Sequence, residues 1–177
     1  MTDTIEIDKE VLDEAYRRGS DYLMQYACAP GVFAAVMDTL GYGDDPVVNE
    51  VWKATLGLIG GTGNMAIGTC GAMAGAAMAI SYSFGLTKEE AIEKMFEINN
   101  VVAEVGKKMQ EKYGHIQCQE VQFDLWGKSY RFTNPEAMQD FMNLSQSSPK
   151  CKEVNGDLVR WTVEKILEHN PQFSKRK

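Results

Sequence analysis

The sequence is poor in positive charge. Its 177 residues contain 18 Lys and Arg against 25 Asp and Glu, which gives a formal net charge of −7. This balance argues against a general nucleic-acid-binding protein, because such proteins neutralise phosphates with clustered Lys and Arg. The basic cluster that does occur is Lys175–Lys177 at the C-terminus, and three such residues are typical of a solvated terminus.

Closely spaced cysteines are also lacking. The four cysteines are Cys28, Cys70, Cys118 and Cys151, and no CxxC pair occurs among them. The chain therefore shows neither a zinc ribbon nor a thioredoxin-type motif. It also lacks a recognisable Ser/His/Asp set and a carboxylate pair with a supporting base. We therefore predict no catalytic residue, and the sequence leaves open whether the protein is an enzyme.

The third absence is that of a secretory signal and of a typical membrane span. The N-terminus, MTDTIEIDKE, is acidic and has no apolar segment of the kind that signals carry. We therefore expect the protein in the cytoplasm, where thiols are kept reduced. The uncharged run from Ala54 to Thr87 is long enough to cross a membrane, but it has more Gly, Ala, Ser, Thr and Asn than Leu, Ile or Phe. Capping signals also divide it into two helices, so no membrane insertion is expected.

What the sequence does contain is helical periodicity along most of its length. Apolar residues recur at spacings of three and four, and Asp45–Pro46, Asn134–Pro135 and Ser148–Pro149 are typical helix starts. Residues 115–133 are less regular and could hold a short hairpin or a loop. The pattern predicts a single all-α domain of about six helices, with a core over residues 11–169 and frayed termini, including the tail after Pro171.

One Gly/Ala-rich helix is expected at the centre of this bundle. Residues 64–84 are apolar nearly all round, so this helix should be buried on all sides. Gly71, Gly75 and Ala79 recur every four residues, and small residues let another backbone or a cofactor approach closely. The same surface suggests a homodimer in which this helix packs on its own copy.

The glycines before this helix resemble a phosphate-binding loop. The stretch LGLIGGTGNMAIG, residues 56–68, contains a GxG at Gly61 and Gly63. A dinucleotide fingerprint needs a strand directly before the glycines and a second strand after the helix. Here the residues before the glycines continue a helix, and those after them read as helix, turn and helix. Nucleotide binding is therefore not favoured.

The four cysteines share a position relative to the predicted helices. All lie at or near helix ends, whereas cysteines that only fill a core should be scattered along apolar faces. The free N–H groups of a helix N-terminus favour a thiolate, and Cys70 and Cys151 are the best candidates for this effect. A thiolate is the form that binds metals and attacks disulfides.

The motifs around these cysteines resemble a known family. They are CAPGVFAAV from Cys28, GGTG at residues 60–63, GTCGAMAG around Cys70, CQEVQFDLWG from Cys118, and CKEVNGDLVRWTVEKIL from Cys151. Over residues 16–167 this pattern is similar to the C_GCAxxG_C_C family of redox-active proteins. One departure is that Gly71 stands between Cys70 and the Ala-x-x-Gly segment. The resemblance implies a bacterial or archaeal redox protein whose four cysteines act together.

The residues leave several functions open. Four converging thiolates, at Cys28, Cys70, Cys118 and Cys151, could bind an iron–sulfur cluster for electron transfer to an unknown redox partner protein. The same cysteines could instead work as metal-free thiol–disulfide pairs, Cys28 with Cys70 or Cys118 with Cys151. A structural zinc site is the third hypothesis, although its usual short knuckles are missing. A protein with neither a metal nor a redox role is the fourth.

Three further residues carry weaker signals. His115 lies three residues before Cys118 and could replace or tune a ligand, although a histidine after a helix-ending glycine is more often solvated. Trp126 and Tyr130 could cover the site, although aromatic residues are more often part of a core.

Overall fold

The computed structural model describes residues 7–175, and residues 1–6, 176 and 177 lie outside the described part of the chain. Within it the protein is all-helical and contains no strand. The helices are α1 (Lys9–Tyr26), α2 (Cys28–Thr39), α3 (Pro46–Ala54), α4 (Gly71–Phe84), α5 (Ala91–Tyr113), α6 (Cys118–Trp126), α7 (Pro135–Ser147) and α8 (Lys150–His169). Short 3₁₀ turns occupy Leu56–Leu58 and Pro171–Phe173. The predicted all-α class is confirmed, but eight α-helices replace the expected six.

The irregular segment 115–133 accounts for part of this difference. It contains α6, so the predicted hairpin or loop is wrong for residues 118–126. This helix ends at Gly127, whose φ of 68° is left-handed and is readily adopted only by glycine. A nine-residue helix gives too little apolar periodicity to be distinguished from a short strand by sequence alone.

The Gly/Ala-rich helix α4 starts later than the sequence predicts. Five consecutive residues, Gly60 to Asn64, have positive φ values between 58° and 71°. A left-handed backbone cannot continue a right-handed helix, so α4 begins at Gly71 instead of Asn64. Thr62 is a β-branched residue in this conformation, which is strained and is typical of functional loops.

The centre of the bundle is shared by α2, α4 and α8, which all pack against one another, while α1 lies along α8 and α2. A single central Gly/Ala-rich helix is therefore not confirmed. Helices α2 and α4 cross so closely that a Cβ at Gly75 would overlap the carbonyl oxygen of Ala29. The small residues that suggested a homodimer are thus buried inside their own chain. The oligomeric state stays a prediction.

Helix α8 is anchored to α5 by a buried ionic group. Asp157 accepts hydrogen bonds from the Lys112 ammonium and from the Tyr113 hydroxyl. Asp157 and Tyr113 are both buried, so this carboxylate fixes the position of α8 along α5. Cys151 lies near the N-terminal end of the same helix.

The C-terminal tail is docked on the bundle as far as Lys175. Phe173 stacks on Tyr42 with ring centroids 4.4 Å apart, and the Lys175 N–H donates to the Leu40 carbonyl at 3.0 Å. The predicted fraying of the tail after Pro171 stays a prediction. None of the described helices is both long and apolar enough to cross a membrane.

Candidate functional site

Each of the four cysteines lies at the N-terminal end of a different helix. Cys28 is the first residue of α2, and Cys118 is the first residue of α6. Cys70 is the N-cap of α4, and Cys151 is the second residue of α8. Four helix N-termini therefore carry a thiol each, and each terminus contributes partial positive charge from its unpaired N–H groups.

All four thiols line one cavity of about 250 Å³. Cys70 and Cys118 are buried, whereas Cys28 and Cys151 are half-buried. No charged side chain is among the described residues that line it, and its polar lining groups besides the thiols are Asn64, Gln122, Ser145 and Asn155. The apolar walls come mainly from the end of α1, from α6 to α8 and from the loops after α3 and α6: Leu23, Met24, Ile59, Val121, Phe132, Met138, Phe141, Met142 and Val154.

The loop before α4 brings two of the thiols together. The Cys70 N–H donates to the Ile116 carbonyl at 2.7 Å, and the Cys118 N–H donates to the Gly68 carbonyl at 2.9 Å. These backbone bonds hold the N-termini of α4 and α6 side by side. The GGTG stretch, residues 60–63, belongs to the same loop, and its Gly60 lines the cavity.

The residue after Cys70 makes room for a third thiol. A Cβ at Gly71 would overlap the sulfur of Cys28, so the start of α2 can approach α4 only if position 71 is glycine. A Cβ at Gly61 would lie 2.7 Å from the Cβ of Cys118, which shows equally close packing on the other side of the loop. Both glycines therefore serve the convergence of the cysteines.

Hydrogen bonds reach the sulfurs of Cys28 and Cys118. The Gly60 N–H donates to the Cys28 sulfur at 3.4 Å, and the Gln122 side-chain amide donates to the Cys118 sulfur at 3.1 Å. Donors of this kind stabilise a thiolate over a thiol. All four cysteines are free thiols in this structure.

The four sulfurs do not form a tight ligand group in the described chain. Within the described chain, the one group of three possible ligand atoms lying within 4.8 Å of one another is Glu104, Glu168 and His169, so no three cysteine sulfurs are that close. That surface group is ion-paired with Lys165, whose ammonium lies 2.8 Å from Glu104 and 2.6 Å from Glu168. A cation already satisfies these carboxylates, so we do not interpret them as a metal site.

Burial raises the pKa of all four thiols. It raises the pKa of Cys118 to about 11 even though the Gln122 amide opposes the shift. For Cys70 and Cys151, burial comes first and negative charge on neighbouring cysteines raises the pKa further. The predicted stabilisation of thiolates at Cys70 and Cys151 is therefore wrong for the metal-free protein. Loss of water around the sulfurs outweighs the N–H groups of the helix ends.

Of the three residues with weaker sequence signals, His115, Trp126 and Tyr130, one touches the site and two do not line the cavity. His115 is exposed, lies 3.9 Å from Asp124 and does not line the cavity. Tyr130 is buried and touches the site through its backbone N–H, which donates to Gln122 at 2.7 Å. Trp126 packs against Phe141 beside the cavity without lining it.

Sequence reasoning missed Gln122 and the side chains of α7. Gln122 could have been found, because it stands four residues after Cys118 and so shares a face with it once α6 is known to be a helix. Met138, Phe141 and Met142 carry no such signal, because nothing in the sequence shows that α7 covers the cavity.

A comparison with protein families decides the family. The model of a family described as "Putative redox-active protein (C_GCAxxG_C_C)" matches residues 26–165, a range that includes all four cysteines. The chain belongs to the C_GCAxxG_C_C family. The resemblance noted in the sequence is thereby confirmed, and membership of the C_GCAxxG_C_C family supports a redox-active protein. No curated protein and no solved structure matches the chain.

Proposed function

We propose that this protein transfers electrons through an iron–sulfur cluster bound by Cys28, Cys70, Cys118 and Cys151. The observation that carries the proposal is the meeting of four thiols, from four helix N-termini, at one uncharged cavity. Cysteine thiolates are the usual ligands of such clusters, and they need not come from a short motif. When bound, the cluster would supply one-electron redox chemistry.

The residues present suit a group that carries negative charge. No described carboxylate lines the cavity, and four helix N-termini supply partial positive charge around it. The N–H groups of Gly60 and Gln122 donate to two of the sulfurs. Most of the cavity wall is apolar, and hydrogen bonding and solvent exposure are among the factors that set the potential of a cluster.

The spacing of the thiols favours a cluster over a single zinc ion. A tetrahedral zinc site with Zn–S bonds of about 2.3 Å places its sulfurs about 3.8 Å apart. No three cysteine sulfurs of the described chain lie within even 4.8 Å of one another. A [4Fe–4S] cluster gives each thiolate its own iron atom and so accepts a wider ring of sulfurs, which makes it the cluster type that this spacing favours.

The raised pKa values also weigh against a metal-free thiol–disulfide protein. That chemistry needs an attacking thiolate near neutral pH, and burial keeps all four thiols protonated there. A bound metal centre offsets the free-energy cost of forming a buried thiolate, because each thiolate then neutralises positive charge.

The test is anaerobic purification followed by analysis of iron, zinc and acid-labile sulfide, together with a visible absorption spectrum. We expect a brown protein with iron and sulfide in matching amounts, and loss of both when any one cysteine becomes Ser. Ser145→Ala is the matched control, because Ser145 lines the same cavity but its hydroxyl donates to the Met142 carbonyl.

Two results would replace this proposal. A colourless protein without iron or zinc, whose thiol count falls on mild oxidation, would establish thiol–disulfide chemistry. Zinc alone, at one ion per chain, would make the site structural.

A further inference from the structure

One polar side chain faces a single cysteine of the site. Gln122 lies one helical turn after Cys118 on α6, and its amide nitrogen is 3.1 Å from the Cys118 sulfur. The side chain is buried, with 2% of its surface exposed. In an uncharged cavity such a hydrogen bond is not weakened by competing water.

The orientation of the Gln122 amide is fixed by a second hydrogen bond. Its oxygen accepts from the Tyr130 backbone N–H at 2.7 Å. If the amide were turned over, its NH₂ group would face the Tyr130 N–H, donor against donor, and its oxygen would face the sulfur, where a thiolate could not bond to it. The donor end of Gln122 is therefore committed to Cys118.

This contact distinguishes Cys118 from the other three thiols. Among the described hydrogen bonds, Cys118 is the one cysteine whose sulfur accepts from a side chain. Cys28 receives a longer backbone N–H contact of 3.4 Å from Gly60, which a side-chain substitution cannot remove. Gln122 is thus the position at which the chain can change the environment of one ligand alone.

We propose that Gln122 is a positioning residue that holds the Cys118 sulfur and raises the reduction potential of the bound cluster. This inference rests on the proposed function. A reduced cluster carries one more negative charge than an oxidised one, and part of that charge resides on the ligand sulfurs. A fixed N–H donor stabilises the more negative state more strongly, so it favours uptake of the electron.

The first experiment compares the reduction potentials of the reconstituted wild-type protein, Gln122→Glu and Gln122→Leu. Gln122→Glu keeps an acceptor for the Tyr130 N–H and replaces the donor at the sulfur by a carboxylate. Gln122→Leu removes the donor without adding charge. We expect both potentials to be more negative than that of the wild type, with the larger shift in Gln122→Glu.

Gln119→Glu is the matched control. It adds the same charge to the same helix, but the Gln119 side chain bonds to Glu120 and does not line the cavity. Its potential should remain close to that of the wild type. If Gln122→Leu and Gln122→Glu bind a full cluster at the wild-type potential, the role of Gln122 is overturned while the cluster itself stands.

The second experiment uses the metal-free protein. Iodoacetamide labelling at pH 8, followed residue by residue with mass spectrometry, reports the reactivity of each cysteine. We expect Cys118 labelling in Gln122→Leu to be slower by roughly three- to tenfold, the factor that corresponds to one lost hydrogen bond. Labelling in Gln122→Glu should be slower still, because its carboxylate also disfavours the thiolate. Labelling of Cys28 should not change.

The two experiments separate the two proposals. Wild-type protein that takes up no iron and sulfide overturns the proposed function and the effect on a cluster potential. Slower Cys118 labelling would then still support the positioning of this sulfur by Gln122. Equal labelling of Cys118 in the wild type and both Gln122 variants would overturn that contact as well.

Discussion

At the scale of single residues, the site depends on the absence of a side chain at Gly71, the residue after Cys70. Gly71 has no side chain, and the sulfur of Cys28 occupies the space that a Cβ at position 71 would take. Four residues later, Gly75 makes the same allowance for the backbone of Ala29. The segment CGAMAG thus places the Cys70 thiol at the start of α4 and lets the Cys28 thiol of α2 pack against Gly71.

We predict that Gly71→Ala impairs the site more than it harms the fold. The new methyl group must displace the Cys28 sulfur, and overpacking of this kind costs about 1–3 kcal/mol in the free energy of unfolding. Iron and sulfide per folded chain should fall well below the wild-type values, as measured after reconstitution and gel filtration.

Gly57→Ala is the control for this substitution, because no atom lies within 4 Å of the position where its Cβ would stand. It should load iron and sulfide normally. Full loading of Gly71→Ala would show that Cys28 does not have to occupy its present position.

At the scale of helices, the sequence predicted what depends on local signals. The starts at Asp45–Pro46 and Asn134–Pro135 are confirmed, since both cap side chains accept from backbone N–H groups of the first turn. Helix α6 was missed because nine residues give little periodicity, and the late start of α4 was missed because left-handed Thr62 has no sequence signature. The sequence alone showed that the four cysteines lie near helix ends. It could not show that all four helix ends meet, because this depends on tertiary packing.

Helix α7 is the element with the least secure packing. None of its described side chains is buried, and it covers the cavity with Met138, Phe141 and Met142. Its main anchor is the Phe141 ring, whose centroid lies 4.7 Å from that of Phe132 and 5.7 Å from those of Trp126 and Tyr130. We infer that this helix is what separates the thiols from solvent on that side.

We predict that Phe141→Ala exposes the cysteines without unfolding the protein. The free energy of unfolding should fall by roughly 1–2 kcal/mol, less than the 3–5 kcal/mol typical of a buried phenylalanine such as Phe33. Cysteine labelling in the metal-free protein, and loss of the cluster in air, should both become several-fold faster.

Phe96→Ala provides the comparison for Phe141→Ala. Phe96 lies on α5, is 66% exposed and does not line the cavity, so its removal should leave both rates unchanged. If Phe141→Ala also left them unchanged, α7 would not be the barrier that protects the thiols.

At the scale of the whole molecule, the thiols link the stability of the fold to pH. An unfolded cysteine has a pKa of about 8.5, whereas burial raises the pKa of folded Cys118 to about 11 and raises the pKa of the other three thiols as well. Between these values the unfolded chain releases protons that the folded chain retains. The protonated thiols therefore contribute fully to the free energy of unfolding of the metal-free protein below about pH 8.5. This contribution is lost as the pH rises towards 11.

We predict that the free energy of unfolding of the metal-free protein falls between pH 8 and pH 10.5, as measured by urea titration under reducing conditions. Tyr113, whose pKa is also raised by burial and by Asp157, contributes in the same direction. The decisive comparison is therefore with Cys118→Ser, which removes one thiol and should lose less stability over this range. In the cluster-loaded protein the thiolates are already formed, so the share due to the cysteines should disappear. An equal loss in wild-type and Cys118→Ser protein would mean that this thiol is solvated in the fold, and that the cavity is open to water before any metal is bound.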